Sequence, residues 1–155
     1  MRRIVTTITV VAALQAVASA AAAPPATPAA YRAQLNSMCR SYTPRFHALQ
    51  ADMQKALRAK DGLTFGDALG EFLVLALAQD GRIRRAPVPA GMRKQMTPVL
   101  RSLGVIDVHA RLAIAKAGKR DSQGLFAELD TIGRLSTPLN KLLDRAGLHD
   151  CGSNQ

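Results

Sequence analysis

The sequence is poor in the residues on which most recognisable catalytic and redox motifs depend. Its 155 residues contain two cysteines, three histidines and no tryptophan, with only four phenylalanines and two tyrosines. Because Cys39 and Cys151 are far apart, the closely spaced Cys-x-x-Cys pair of thiol–disulfide oxidoreductases is absent. The phosphate-binding glycine loop, the dinucleotide-binding fingerprint and the Gly-x-Ser-x-Gly elbow of serine hydrolases are also missing. No common enzyme class can therefore be assigned from a motif.

The sequence also lacks the alternation of apolar and polar residues that marks a half-buried strand. Four stretches instead repeat apolar residues at steps of three or four, which is the pattern of a helix with one buried face. They cover roughly residues 31–57, 65–85, 92–117 and 122–146, with Thr64 as the expected N-cap of the second and Gly147 ending the fourth. Short connections between four helices predict an all-α protein, an antiparallel up-down-up-down bundle.

Three Thr-Pro pairs interrupt these stretches at Thr43-Pro44, Thr97-Pro98 and Thr137-Pro138. Thr-Pro is a favourable helix start, with Thr as the N-cap and Pro in the first turn. The apolar pattern nevertheless continues through each pair without losing phase, and each Thr is followed six residues later by a Leu. This continuity favours proline kinks inside long helices over breaks between short ones.

The N-terminus has the composition of a secretory signal peptide. Arg2 and Arg3 precede an uncharged stretch from Ile4 to Ala23, and small residues near its end fit a cleavage site within residues 20–23. The alternative is an uncleaved membrane anchor, since about 20 uncharged residues can span a bilayer. We expect a signal peptide at residues 1–23, a Pro/Ala linker at 24–30 and one helical domain at 31–155. The predicted localisation is secreted or extracytoplasmic.

The two cysteines are expected to form a disulfide. Exported proteins reside in oxidising compartments, and two antiparallel hairpins of helices return the chain to the end where it began. Cys39 near the start of the first helix and Cys151 just after the fourth should therefore meet. A tetrahedral metal site that also used His149 and Asp150 is the alternative, but the spacing resembles no zinc signature. We expect no metal or cofactor, and we expect His149 and Asp150 to be solvated.

The remaining candidates for chemistry are few. Asp67 and Glu71 form an i,i+4 carboxylate pair, and His47 and His109 are the histidines that lie outside the C-terminal tail. The Glu-x-x-His motif of di-iron bundles does not occur. An enzyme would need these residues clustered with an arginine in one cleft. The sequence identifies no catalytic residue.

Basic segments are the strongest functional lead, because the chain carries a formal net charge of +10. Loss of residues 1–23 would leave 19 Lys and Arg against 11 Asp and Glu, a net charge of about +8. One segment joins the second and third helices and contributes Arg82, Arg84, Arg85, Arg93 and Lys94. The other joins the third and fourth helices and contributes Lys116, Lys119 and Arg120. These residues are candidate sites for anionic lipid or cell-wall polymer, although dispersed charge also simply keeps a protein in solution.

The stretch YRAQLNSMC (residues 31–39) and the closing GLHDCGSNQ resemble uncharacterised secreted all-helical proteins of high-GC bacteria. This resemblance implies export and a helical fold, and it implies no activity.

Three hypotheses for function follow. The first is an exported non-catalytic protein that binds anionic envelope components through its basic ends. The second is a small-molecule carrier or sensor with a cavity between kinked helices. The third is a small helical enzyme. Specific nucleic-acid binding is not expected, because aromatic residues do not alternate with the basic ones.

Overall fold

The computed structural model describes residues 27–152, and these residues form an all-α bundle. Helix α1 spans Pro28–Ala59, α2 spans Gly62–Arg85, α3 spans Arg93–Gly118 and α4 spans Ser122–Arg145. Short 3-10 helices lie at Ala90–Met92 and His149–Cys151. The predicted fold class is confirmed. The predicted signal peptide lies outside the described residues, and the last three residues of the predicted linker form the first turn of α1.

Side chains that cap the helices set their boundaries. Thr27 accepts a hydrogen bond from the Ala30 N–H and caps α1. The expectation that Thr64 caps α2 was wrong, since Asp61 accepts from the Leu63 and Thr64 N–H groups and the helix begins at Gly62. A carboxylate that accepts two backbone N–H groups satisfies two of the unpaired donors at a helix start. Gly147 ends α4 as predicted, with a left-handed φ of 76° that glycine adopts without strain.

The helices pack in sequence order, and one side of the bundle is left open. Helix α1 packs along α2, α2 packs on α3, and α3 packs along α4. Short connections between successive helices make the four antiparallel. Helices α1 and α4 make almost no direct contact, and α1 instead contacts the C-terminal His149–Cys151 turn. The fourth side of the bundle is therefore held mainly at the end where the His149–Cys151 turn lies.

Three apolar clusters fill the interior, and α2 contributes to all of them. The largest lies at the end that holds the disulfide and includes Tyr31, Ile83, Met96, Leu103 and Leu143. The second packs Leu69 and Leu73 against Ala110 and Ala113 of α3, and the third packs Phe46 and Leu49 against Leu75.

Among the described helices, α2 alone is long and apolar enough to cross a bilayer by length and composition.

All three Thr-Pro prolines lie inside helices, as the continuous apolar pattern predicts. Pro44 is within α1, Pro98 within α3 and Pro138 within α4. The leucines that follow each Thr at the sixth position, Leu49, Leu103 and Leu143, are all buried. Burial of these leucines shows which face of each helix is turned inward after its proline.

The C-terminal segment 146–152, which we call the strap, is tied to one face of α1. Arg32 donates to the Ala146 carbonyl at 2.8 Å, and Asn36 donates to the Gly147 carbonyl at 2.9 Å. Arg40 pairs with Asp150 at 2.5 Å. Residues 32, 36 and 40 are four apart and therefore share one helix face. The expectation that Asp150 is only solvated was wrong, because tertiary structure brings it against α1.

The Cys39–Cys151 disulfide completes this attachment and confirms the predicted pairing. It links residues 112 positions apart, with Cα atoms 5.1 Å from each other, and both cysteines are buried. In the chain-entropy model, a cross-link that closes such a long loop strongly restricts the conformations of the unfolded chain.

We expect the double variant Cys39→Ala/Cys151→Ala to lose about 2–5 kcal/mol of unfolding free energy, because the unfolded chain is no longer cross-linked. Urea denaturation followed by circular dichroism measures the change. Reductant should destabilise the wild-type protein and leave the double variant unaffected. An unchanged midpoint in the variant would show that hydrogen bonds alone secure the strap.

Candidate functional sites

A cavity of about 290 Å³ lies between the four helices and the strap. Its walls are largely apolar and come from every helix, including Phe46 of α1, Phe72 of α2, Leu103 of α3 and Leu139 of α4. The Cys151–Gly152 end of the strap closes it at the disulfide end. The backbones of α1 and α4 do not approach each other closely, and both helices line the cavity.

Several neutral polar side chains also face this cavity. They are Gln50 from α1, Gln79 from α2, and Ser136 and Asn140 from α4. Ser136 donates to the Ile132 carbonyl of its own helix at 2.8 Å. Gln79 is only 4% exposed, and no hydrogen bond to its side-chain amide is found within residues 27–152. The Gln79 amide is therefore available to a ligand.

A charged group lies beside the cavity where α2 packs on α3. Arg84 Nη1 donates to Asp107 Oδ2 at 2.5 Å, and the Asp107 side chain is 7% exposed. The other oxygen, Asp107 Oδ1, is buried, and among residues 27–152 it has no hydrogen-bond donor unless a neighbouring carboxyl group carries a proton. Asp80 lines the cavity and lies within hydrogen-bonding reach of the Asp107 carboxyl. Two carboxyl groups this close can hydrogen-bond only when one of them keeps a proton.

Burial and the neighbouring charges change the acidity of Asp80. Desolvation, the negative charge of Asp107 and the hydrogen bond to Asp107 together raise the pKa of Asp80 to about 8, and Arg84 partly opposes them. At neutral pH a proton therefore resides on Asp80. The cavity thus contains an acid that changes charge in a physiological pH range.

Sequence reasoning missed Gln79, Asp80 and Asp107 as site residues, although signals for them exist. Asp107 falls inside the apolar pattern of α3, directly after Ile106 and three residues before Ala110. Gln79 and Asp80 directly follow the apolar run FLVLALA of α2. A polar residue at a position that the pattern assigns to the core must find a partner or line a cavity. That test would have identified all three.

Two of the five basic residues around the α2–α3 connection interact with other side chains of the protein. Arg84 is paired with Asp107, and the Arg82 guanidinium lies 5.6 Å from the centre of the Tyr42 ring. The Arg85 guanidinium lies against Gly81 of the same helix. Arg93 and Lys94 are exposed on the first turn of α3. This end therefore offers fewer free cations than the sequence suggested.

The opposite end, which we call the distal tip, combines cations with exposed apolar side chains. Leu57 and Phe126 are each 61% exposed and border one shallow depression with Lys60, and Leu63 beside it is 84% exposed. Exposed cations at this tip are Lys55, Arg58, Lys60, Lys119 and Arg120. Lys116 pairs with Asp121 at 2.8 Å, and that bond together with the Gly124 N–H lowers the pKa of Asp121.

The residues considered for catalysis lie apart from one another. His47 is exposed on α1, whereas His109 Nδ1 lies 2.6 Å from Glu128 Oε2 between α3 and α4. Asp67 and Glu71 border a surface depression with Arg45. No group of three or more potential metal ligands occurs among residues 27–152. The sequence-based candidates therefore form no common cleft.

The raised pKa of Asp80 makes stability depend on pH. Between the ordinary value of 3.8 and about 8, the folded protein keeps a proton that the unfolded chain releases. The resulting stabilisation is complete below about pH 4 and is lost as the pH rises towards 8. We expect the unfolding free energy of the wild-type protein to fall relative to Asp80→Asn as the pH increases. Urea denaturation from roughly pH 5 to pH 9 measures the difference, and parallel curves would contradict it.

Comparison with known protein families, curated proteins and solved structures returned no match for this chain.

Proposed function

We propose that the protein binds a small organic molecule in the cavity between its four helices. The observation that carries this proposal is a largely apolar space of about 290 Å³ that is also lined by the side chain of Gln79, a residue only 4% exposed. Ligand sites in proteins are typically apolar concave spaces with a few polar groups that fix orientation. The volume lies at the lower end of the range of roughly 300–1,000 Å³ found for such sites, which favours a small ligand.

The arrangement favours a carrier or sensor over an enzyme. The cavity presents apolar surface and hydrogen-bonding amides, and none of the described residues that line it pairs a nucleophile with a base. The sequence hypothesis of a cavity between proline-containing helices is therefore the one that the geometry supports best. A signal peptide at residues 1–23 would place this activity outside the cytoplasm.

We expect Ala76→Phe to abolish binding of a small apolar probe, because Ala76 lines the cavity and a phenyl ring would occupy it. Ala78→Phe is the matched control, since Ala78 is exposed on the same helix. Titration of wild-type protein with neopentylbenzene, followed by amide chemical shifts in NMR, should give saturable changes around the cavity. Absence of saturable binding to the wild-type protein would overturn the proposal, as would equal binding by both variants.

We propose as a second function that the distal tip docks on an anionic surface such as a lipid membrane or cell-wall polymer. Three exposed apolar side chains, Leu57, Leu63 and Phe126, lie among the cations of this tip. Apolar groups surrounded by Lys and Arg match the interface of an anionic bilayer, where the rings and aliphatic chains enter the headgroup region. At the α2–α3 end, two of the arginines already have partners: Arg84 pairs with Asp107, and Arg82 lies over the Tyr42 ring.

We expect Lys119→Glu/Arg120→Glu to weaken adsorption to phosphatidylglycerol vesicles about tenfold or more, at roughly 1 kcal/mol for each cation removed and more for reversal. Arg93→Glu/Lys94→Glu makes the same charge change at the other end and should have a smaller effect. Vesicle co-sedimentation at low and high salt measures both. Equal losses in the two variants would indicate attraction by net charge alone.

Leu63→Ser should weaken adsorption even at high salt, because insertion of an apolar side chain is not screened.

A further inference from the structure

The ionisable group that lines the cavity is an acid, although the chain as a whole is strongly basic. The chain carries a formal net charge of +10. Of the described residues that line the cavity, however, only Asp80 has an ionisable side chain, since Cys151 is in the disulfide. Arg84 is directed at Asp107, and neither of these residues lines the cavity. A carboxylate or phosphate ligand would meet the Asp80 carboxyl and no cation, so the lining selects against anions.

Two further features of the cavity suit a cation. The buried amide of Gln79, which has no partner among residues 27–152, adjoins Asp80 in the chain and supplies a carbonyl oxygen that can accept from an N–H group. Phe46 and Phe72 also line the cavity, with ring centroids 5.0 Å apart in an edge-to-face arrangement. Aromatic faces attract organic cations through their quadrupoles, and ammonium ions that are weakly hydrated bind them best.

We infer that the ligand is a small organic ammonium ion, held with its apolar body between the helices and its charge at the Asp80 carboxylate. This inference rests on the proposed function of the cavity as a ligand site. Asp80 provides the counter-ion, the Gln79 carbonyl provides a polar contact, and the apolar walls contact the body of the ligand.

Binding of a cation is coupled to loss of a proton. The charged groups that face Asp80 are Asp107 of α3 and Arg84 of α2, while α1 and α4 present only the neutral Gln50, Ser136 and Asn140. When Asp80 is protonated, the three side chains of Asp80, Asp107 and Arg84 have a net charge of zero, because Arg84 neutralises Asp107. When an ammonium ion enters, the Asp80 proton leaves to solvent, and the net charge of the cation and these three side chains stays at zero. Below about pH 8, one proton therefore leaves for each cation that binds.

The experiment compares benzyltrimethylammonium with neopentylbenzene, its neutral carbon isostere, in an amine-free buffer. A quaternary ammonium keeps its charge at every pH, so any pH dependence comes from the protein. Affinity of the wild-type protein for the cation should rise about tenfold per pH unit between pH 6 and pH 7 and level off above about pH 8. Affinity for the neutral isostere should stay within about twofold across the same range, since its binding exchanges no proton.

Asp80→Asn separates the possible outcomes. We expect this variant to bind the cation at least tenfold more weakly than the wild-type protein at high pH, without the pH dependence, because the counter-ion is lost. Retained binding of neopentylbenzene shows that the variant is folded with its cavity intact. Binding of the neutral isostere together with equal cation binding by both proteins overturns the ammonium inference and leaves the proposed function standing. Failure of the wild-type protein to bind either compound overturns both.

Discussion

The attachment of the C-terminal strap to the first helix is the constraint on which the rest of the structure depends. Three sides of the bundle close through helix packing, but α1 and α4 scarcely touch. The Cys39–Cys151 disulfide and the hydrogen bonds from Arg32 and Asn36 hold the fourth side at one end. A small domain can therefore keep a space in its interior, because a covalent link replaces part of the apolar contact that would otherwise close the bundle.

The interior cavity and its polar groups are consequences of that arrangement. Burial of an unpaired amide and of two adjacent carboxyl groups reduces stability unless they gain partners. Arg84 neutralises the charge of Asp107, and a bound proton neutralises the charge of Asp80. The Gln79 amide remains without a partner among the described residues. Polar groups that lower stability in this way are expected where a protein binds something, since a ligand can supply what the fold does not.

Much of the fold could be predicted from local sequence signals. Apolar periodicity located four helices, and continuity of the pattern placed Pro44, Pro98 and Pro138 inside three of them. The boundary of α2 was less predictable, because Asp61 and Thr64 are both good N-caps and only the backbone geometry selects Asp61.

The sequence-based analysis largely missed the candidate site. Spacing alone does not reveal that Asp80 and Asp107 meet, because they lie on different helices and their contact depends on how α2 and α3 pack.

The sequence by itself determined the helical class, the order of the helices and the pairing of the two cysteines. Helical periodicity and capping act over a few residues, and two cysteines allow one intramolecular pair. Tertiary structure alone decided which cations have partners, which apolar side chains remain exposed at the distal tip, and where the largely apolar cavity lies. Each of these depends on side chains from helices distant in sequence. Packing sets the distances between these side chains, so the pattern of neighbouring residues in the sequence does not predict them.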